Sequence, residues 1–60
     1  MPLNLDPNIV DPDGFYDDLL AAHMGLSHAE SDALNARLIL ILCNQIGDRD
    51  VIRAALRAAR

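Results

Sequence analysis

A chain of 60 residues makes one small domain, and a chain of this size buries only about 60% of the surface that its unfolded form exposes. Its single cysteine excludes an internal disulfide, and an apolar content of 52% argues against disorder. The net charge of −4 argues against nucleic-acid binding. The start resembles no secretory signal, and no apolar run approaches the roughly 20 residues of a membrane span. We therefore expect a single cytoplasmic domain, residues 1–60.

The charge is divided between two halves of the chain. Residues 1–32 contain seven acidic residues and no basic one, which gives −7, whereas residues 33–60 carry +3 and all five arginines. This division predicts pairing of the acidic half with the basic end, either within one chain or between two.

Residues 1–10 are predicted to form an extended arm. Pro2 and Pro7 are incompatible with a regular helix. Leu3, Ile9 and Val10 make the segment too apolar for a solvated tail, so we expect the arm to lie on the helices or on a partner.

The first helix is predicted over residues 11–25. Asp11 is a suitable N-cap, Pro12 fits the first helical position, and Gly25 ends the helix. Val10 and Phe15 have the spacing of a hydrophobic staple. The apolar stripe of this helix is predicted to comprise Phe15, Leu19, Leu20 and either His23 or Met24.

The second helix is predicted over residues 27–46. Ser27 and Glu30 have the spacing of a capping box, and Gly47 marks the end. The run Leu38–Cys43 is apolar on every side of the helix, and such a helix must be covered on every side. Because so small a chain cannot cover it alone, we expect a homodimer. The predicted interface residues are Ile39, Leu40 and Cys43.

The third helix is predicted over residues 48–60, with Asp48 as its N-cap. Its arginines recur at spacings of four, four and three, so they share one side of the helix. They can contact phosphate in a helix-turn-helix arrangement, or they can form a solvated or acid-paired face. The acidic net charge favours the second interpretation, with Arg49, Arg53 and Arg57 as partner contacts.

No catalytic, cofactor-binding or metal-binding residues are predicted. His23 and His28 lack the i, i+4 spacing that places two ligands on one side of a helix. Cys43 is expected to be a buried, unreactive thiol within the apolar run. The predicted fold is therefore all-α: an N-terminal arm, an antiparallel hairpin of two helices and a short C-terminal helix, paired in a homodimeric bundle.

Four segments in this order resemble a known family: residues 11–16 (Asp-Pro-Asp-Gly-Phe-Tyr), 25–27 (Gly-Leu-Ser), 34–40 (Leu-Asn-Ala-Arg-Leu-Ile-Leu) and 46–48 (Ile-Gly-Asp). Over about residues 4–56 the chain resembles a family of very small bacterial proteins of unknown function, DUF2783. The resemblance implies no activity. It implies an association with genes for flavin-dependent aromatic hydroxylases and other catabolic enzymes.

Taken together, these observations predict a non-enzymatic, homodimeric interaction module that is accessory to a flavin-dependent or other catabolic enzyme. Two alternatives stay open. One is a dimer with a ligand or metal site at its interface, and the other is a small regulator that contacts nucleic acid through the third helix.

Overall fold

The computed structural model describes residues 3–60, and within that range it consists of three α-helices with no strand. Helix α1 spans Pro12–His23, α2 spans His28–Ile46 and α3 spans Arg49–Ala58. The all-α prediction is confirmed, and each helix is slightly shorter than its predicted range because that range included capping residues. Met1 and Pro2 of the predicted arm lie outside the described residues.

Residues 3–10 have no regular secondary structure and turn locally. The side-chain oxygen Oδ1 of Asn4 accepts a hydrogen bond from the backbone N–H of Asp6 at 2.9 Å. Leu5 and Val10 expose 79% and 93% of their surface, so these side chains do not pack on the helices as one version of the prediction required. Contact between the arm and a partner stays a prediction.

Helix α1 begins at an unusual cap. The N–H of Gly14 donates to Oδ1 of Asp11 at 3.2 Å, as an N-cap requires, but the Asp11 backbone is left-handed with φ 51°. A side chain at position 14 would collide with the Asp11 carboxylate, so glycine makes this cap possible. The predicted staple between Val10 and Phe15 is wrong. A staple assumes an extended cap residue, and the left-handed turn at Asp11 instead leaves Val10 in solvent.

The connection between α1 and α2 is short: α1 ends at His23 and α2 begins at His28. Gly25, with φ 77°, follows the C-cap Met24, and Ser27 caps α2. The Ser27 hydroxyl accepts from the N–H of Glu30 at 3.2 Å, and Oε1 of Glu30 accepts from the N–H of Ser27 at 2.9 Å. This confirms the predicted capping box. Two hydrogen bonds from Ser27 lower the pKa of Glu30. The bond from the Ser27 backbone has the larger effect and the bond from its side chain the smaller one.

Helix α2 ends at Gly47, which has φ 74° and donates its N–H to the carbonyl oxygen of Cys43 at 2.9 Å. The next residue, Asp48, caps α3: its Oδ1 accepts from the N–H groups of Asp50 and Val51 at 2.9 and 3.3 Å. Both predicted capping residues are confirmed. With only Gly47 and Asp48 between them, α3 starts directly beside the C-terminal end of α2, and these two helices are in contact.

Helix α1 runs back along α2 in the antiparallel sense. His23, at the end of α1, contacts Ser31 near the start of α2, and the earlier residue Leu19 lies by the later residues Leu34 and Leu38. The packing is nevertheless open, since no residue in the range 3–60 is fully buried. The half-buried helical residues are Gly14, Leu19, His23, Ser31, Leu34, Leu38, Cys43, Val51, Ile52, Ala54 and Ala55.

The radius of gyration and the accessible surface of the single chain are also larger than those of a compact domain. Its radius of gyration is 13.2 Å, whereas a compact domain of this length has about 10 Å. Its accessible surface is 5455 Å², about 1,500 Å² more than the roughly 3,900 Å² expected for a folded monomer of this mass. As for membranes, none of the helices found in residues 3–60 has the length and apolar character needed to cross a bilayer.

Candidate interaction surface

An open apolar groove lies between α1 and α2. Leu34, Leu38 and Ile41 recur at spacings of four and three along α2, which places them on one side of the helix. Leu19 and Ala22 of α1 face the same concavity, and Arg37 stands at its edge. The two helices thus share an apolar lining without closing on it.

The groove is held at one end by a histidine–serine contact. Nδ1 of His23 and Oγ of Ser31 are 3.0 Å apart, and both side chains are half-buried. Of the two candidates for the end of the α1 stripe, the structure selects His23, because Met24 is 80% exposed. Sequence reasoning missed the role of Ser31. The capping box at Ser27 fixes the start of α2, and this places the Ser31 side chain one turn into the helix.

This pair does not have the geometry of a nucleophilic site. An activated serine needs a histidine that is oriented by a third group. Within residues 3–60, the one side-chain hydrogen bond of His23 is the one to Ser31. Neither residue lines the groove between α1 and α2. The pair is therefore a link between α1 and α2.

A second apolar surface of α2 faces solvent. Ile39, Leu42 and Ile46 recur at spacings of three and four and are 56%, 52% and 51% exposed. At 100° per residue, this exposed seam lies about 100° around α2 from the stripe that lines the groove. The structure thus leaves most of the apolar run of α2 uncovered in the single chain.

Two of the three predicted interface residues, Ile39 and Leu40, lie on this uncovered part of α2. Ile39 belongs to the exposed seam, and Leu40 is the most exposed residue of the run, at 71%. Cys43 is half-buried, not buried as expected, and has a free thiol. It lies about 140° around the helix from Leu38, away from the groove.

The three arginines of α3 and the arginine that follows the helix form a single exposed stripe. Val51, Ile52, Ala54 and Ala55 are half-buried on one side of the helix. The predicted partner contacts and the chain's last residue share the opposite side, and all are exposed. This arginine stripe comprises Arg49, Arg53, Arg57 and Arg60.

Among residues 3–60, the arginine stripe has no hydrogen-bonded acidic partner. In the described part of the chain, residues 3–60, no arginine side chain takes part in a hydrogen bond. The carboxylates of Asp11, Glu30 and Asp48 are used in helix caps. Asp13, Asp17 and Asp18 of α1 are exposed. In residues 3–60, no three His, Cys, Asp or Glu side chains are grouped so as to hold a metal ion.

Comparison with known proteins yields one match. A family model described as "Protein of unknown function (DUF2783)" matches residues 3–60. No curated protein and no solved structure is significantly similar to the chain. Because the family model covers nearly the whole chain, the protein belongs to the DUF2783 family.

Proposed function

We propose that this protein is a non-enzymatic helical interaction module of the bacterial cytoplasm that acts as a homodimer. The observation that carries the proposal is the uncovered apolar surface of α2, above all the run Leu38–Cys43. A soluble monomer rarely exposes a contiguous apolar patch of this kind, and such patches mark protein–protein contacts.

The area of exposed surface supports a second chain as the cover. The single chain exposes about 1,500 Å² more than a compact monomer of its mass. Obligate dimers bury about 1,000–2,500 Å² on each partner. A second chain that covers an area of this size, with Ile39, Leu40 and Cys43 in the interface, would bury surface comparable to the excess.

Sedimentation equilibrium at micromolar protein concentration tests this proposal. We expect a dimer, with helical content that falls on dilution as the dimer dissociates. A compact, folded monomer with unchanged helical content at every concentration would contradict the proposal, because it would show that one chain tolerates its exposed α2.

The accessory role is the more specific part of the proposal. It rests on the association with genes for flavin-dependent and other catabolic enzymes that the resemblance to the family implies. Affinity purification from the native host, followed by mass spectrometry, should recover such an enzyme with the wild-type chain. Recovery should fall when Arg49, Arg53 and Arg57 are replaced by glutamine.

Experiments on the purified chain test the two alternative functions, a ligand or metal site and nucleic-acid binding. A ligand or metal at the dimer interface would raise the melting temperature when it is added. A nucleic-acid regulator would instead shift DNA in a strongly salt-dependent manner.

A further inference from the structure

We infer that each chain lays its N-terminal arm, residues 3–10, into the groove between α1 and α2 of the other copy. The inference rests on the proposed self-association and adds to it the place of the arm in the contact. It is carried by the sequence pattern of the arm, by the groove that its own chain leaves empty, and by one charge on each surface.

The arm has the pattern of an extended segment that is covered on one side. Apolar and polar residues alternate strictly over residues 3–9, in the order Leu-Asn-Leu-Asp-Pro-Asn-Ile. Because successive side chains of an extended chain point to opposite sides, the four apolar residues share one side, which is typical of a half-buried segment. In the single chain this side is largely uncovered, since Leu5 is 79% exposed and Ile9 is 55% exposed.

The arm does not use the groove of its own chain. No residue of the described arm lines that groove, and residues 4–9 instead gather around Pro12 at the start of α1. The left-handed turn at Asp11, held by the hydrogen bond from the N–H of Gly14, sets the direction in which the arm leaves α1. The cover for the apolar side of the arm therefore comes from another chain.

The groove offers an apolar surface of matching length. Leu34 and Leu38 are half-buried, but Ile41 is 65% exposed, so the groove is open towards the C-terminal half of α2. At 1.5 Å per residue, the stripe from Leu34 to Ile41 is about 10 Å long. An extended chain from Leu5 to Ile9 is about 13 Å long, so the two apolar surfaces can lie along each other.

One charge on each surface favours the contact. Arg37 stands exposed at the edge of the groove and is the one arginine outside residues 49–60. Asp6 lies between the two exposed apolar residues of the arm, on its polar side. Within residues 3–60, neither side chain takes part in a hydrogen bond. When the apolar side of the arm faces the groove, Asp6 lies at the rim where Arg37 stands, so opposite charges meet.

The arm is long enough to cross to a second chain. Eight extended residues reach about 26 Å, more than twice the roughly 10 Å diameter of a helix. In a reciprocal exchange, each arm occupies the groove of the other copy, so both copies use the same two surfaces and the contact closes as a two-fold dimer. The apolar run of α2 supplies the rest of the interface, and the arm adds affinity to it.

Cross-linking of two different variants tests the exchange directly. In the Cys43→Ala background, one chain carries Asn8→Cys on the arm and the other carries Ala22→Cys in the groove. A short bis-maleimide linker should join these two chains. It should not join the arm to the matched control Ala36→Cys, which lies about 160° around α2 from Leu34. Equal yields with both acceptors overturn the exchange, and so does a link within one chain that carries both Asn8→Cys and Ala22→Cys.

Substitutions on the two sides of the arm measure its contribution. Leu5→Ser/Ile9→Ser should raise the dissociation constant at least tenfold in sedimentation equilibrium, because the apolar contacts are lost at both symmetric sites. The control Asn4→Ser/Asn8→Ser changes the polar side and should stay within about threefold of the wild type. Equal dissociation constants for the two double variants would show that the apolar side of the arm is not buried in the dimer.

Exchange of the two charges tests the position of the arm in the groove. Asp6→Arg or Arg37→Asp alone should raise the dissociation constant about three- to tenfold, since each places like charges together. The chain that carries both substitutions should return to within about twofold of the wild type. If the two effects instead add up, the two residues do not meet and the inferred contact is wrong.

Sedimentation of the wild-type chain separates this inference from the proposed function. A dimer whose arm gives no link to the groove overturns the exchange and leaves the proposed self-association standing. A chain that sediments as a folded monomer overturns both.

Discussion

Replacement of Leu40 provides a quantitative test of the α2 surface. Leu40 exposes 71% of its surface in the single chain, and complete burial of a leucine side chain is worth about 1.5–3 kcal/mol. About two-thirds of that, roughly 1–2 kcal/mol, is therefore still to be gained when a second chain covers it. Because a symmetric dimer contains two copies, Leu40→Asn should raise the dissociation constant by about 30- to 700-fold.

The matched variant Leu40→Asp separates the loss of apolar contact from the burial of charge. Asparagine and aspartate have nearly the same shape, but an unpaired buried carboxylate costs several kcal/mol more. We expect Leu40→Asp to be monomeric or unfolded at concentrations where Leu40→Asn still associates. Sedimentation equilibrium measures both variants.

Leu34→Ala is the control for general loss of stability. Leu34 is half-buried in the groove between α1 and α2, so its truncation should lower the free energy of unfolding and leave the dimer intact. If Leu40→Asp stays dimeric and Leu34→Ala yields folded monomers, the two sides of α2 have the opposite roles and the reasoning is refuted.

Three further predictions concern the helix ends. Ser27→Ala should lower the free energy of unfolding by about 1 kcal/mol, read from the urea midpoint at fixed protein concentration; no change would mean that the capping box contributes nothing. The lowered pKa of Glu30 means that its contribution to stability is complete above the ordinary glutamate pKa of about 4.3 and is lost as the pH falls through the lower folded-state pKa. Urea midpoints of Glu30→Gln should therefore lose part of the wild type's dependence on pH in that window, and identical profiles would count against the linkage. Ser31→Ala should cost about 1 kcal/mol through loss of the contact with His23, whereas the exposed control His28→Ala should be nearly neutral; equal effects in thermal melts would argue against the link.

The helix ends could be predicted because the signals are local. Ser27 and Glu30, or Asp48 and Val51, are three residues apart, and a helix cap brings such residues together whatever the rest of the chain does. Asp11 shows the limit of that reasoning. Its identity as a cap follows from sequence, but its left-handed backbone does not, and that backbone is why the expected contact of Val10 is absent.

The candidate surface was predictable only in part. The composition of Leu38–Cys43 predicts that α2 is covered, whereas the single chain leaves Leu40 71% exposed. Cover by a second chain stays a prediction. Which side of α2 faces α1 depends on how the helices meet, and this is decided by contacts across the connection, such as that of His23 with Ser31. Periodicity alone does not contain that information, because several sides of α2 are equally apolar.

The lack of any fully buried residue in the range 3–60 has a consequence for how much of the protein a cell retains. If two chains must meet to complete one core, each tenfold rise in concentration stabilises the folded state by about 1.4 kcal/mol. Chains made in small amounts then spend more time unfolded, where proteases remove them, while chains made in larger amounts protect one another. Synthesis and survival are thereby coupled, and the steady-state level of the protein responds more steeply than its rate of production.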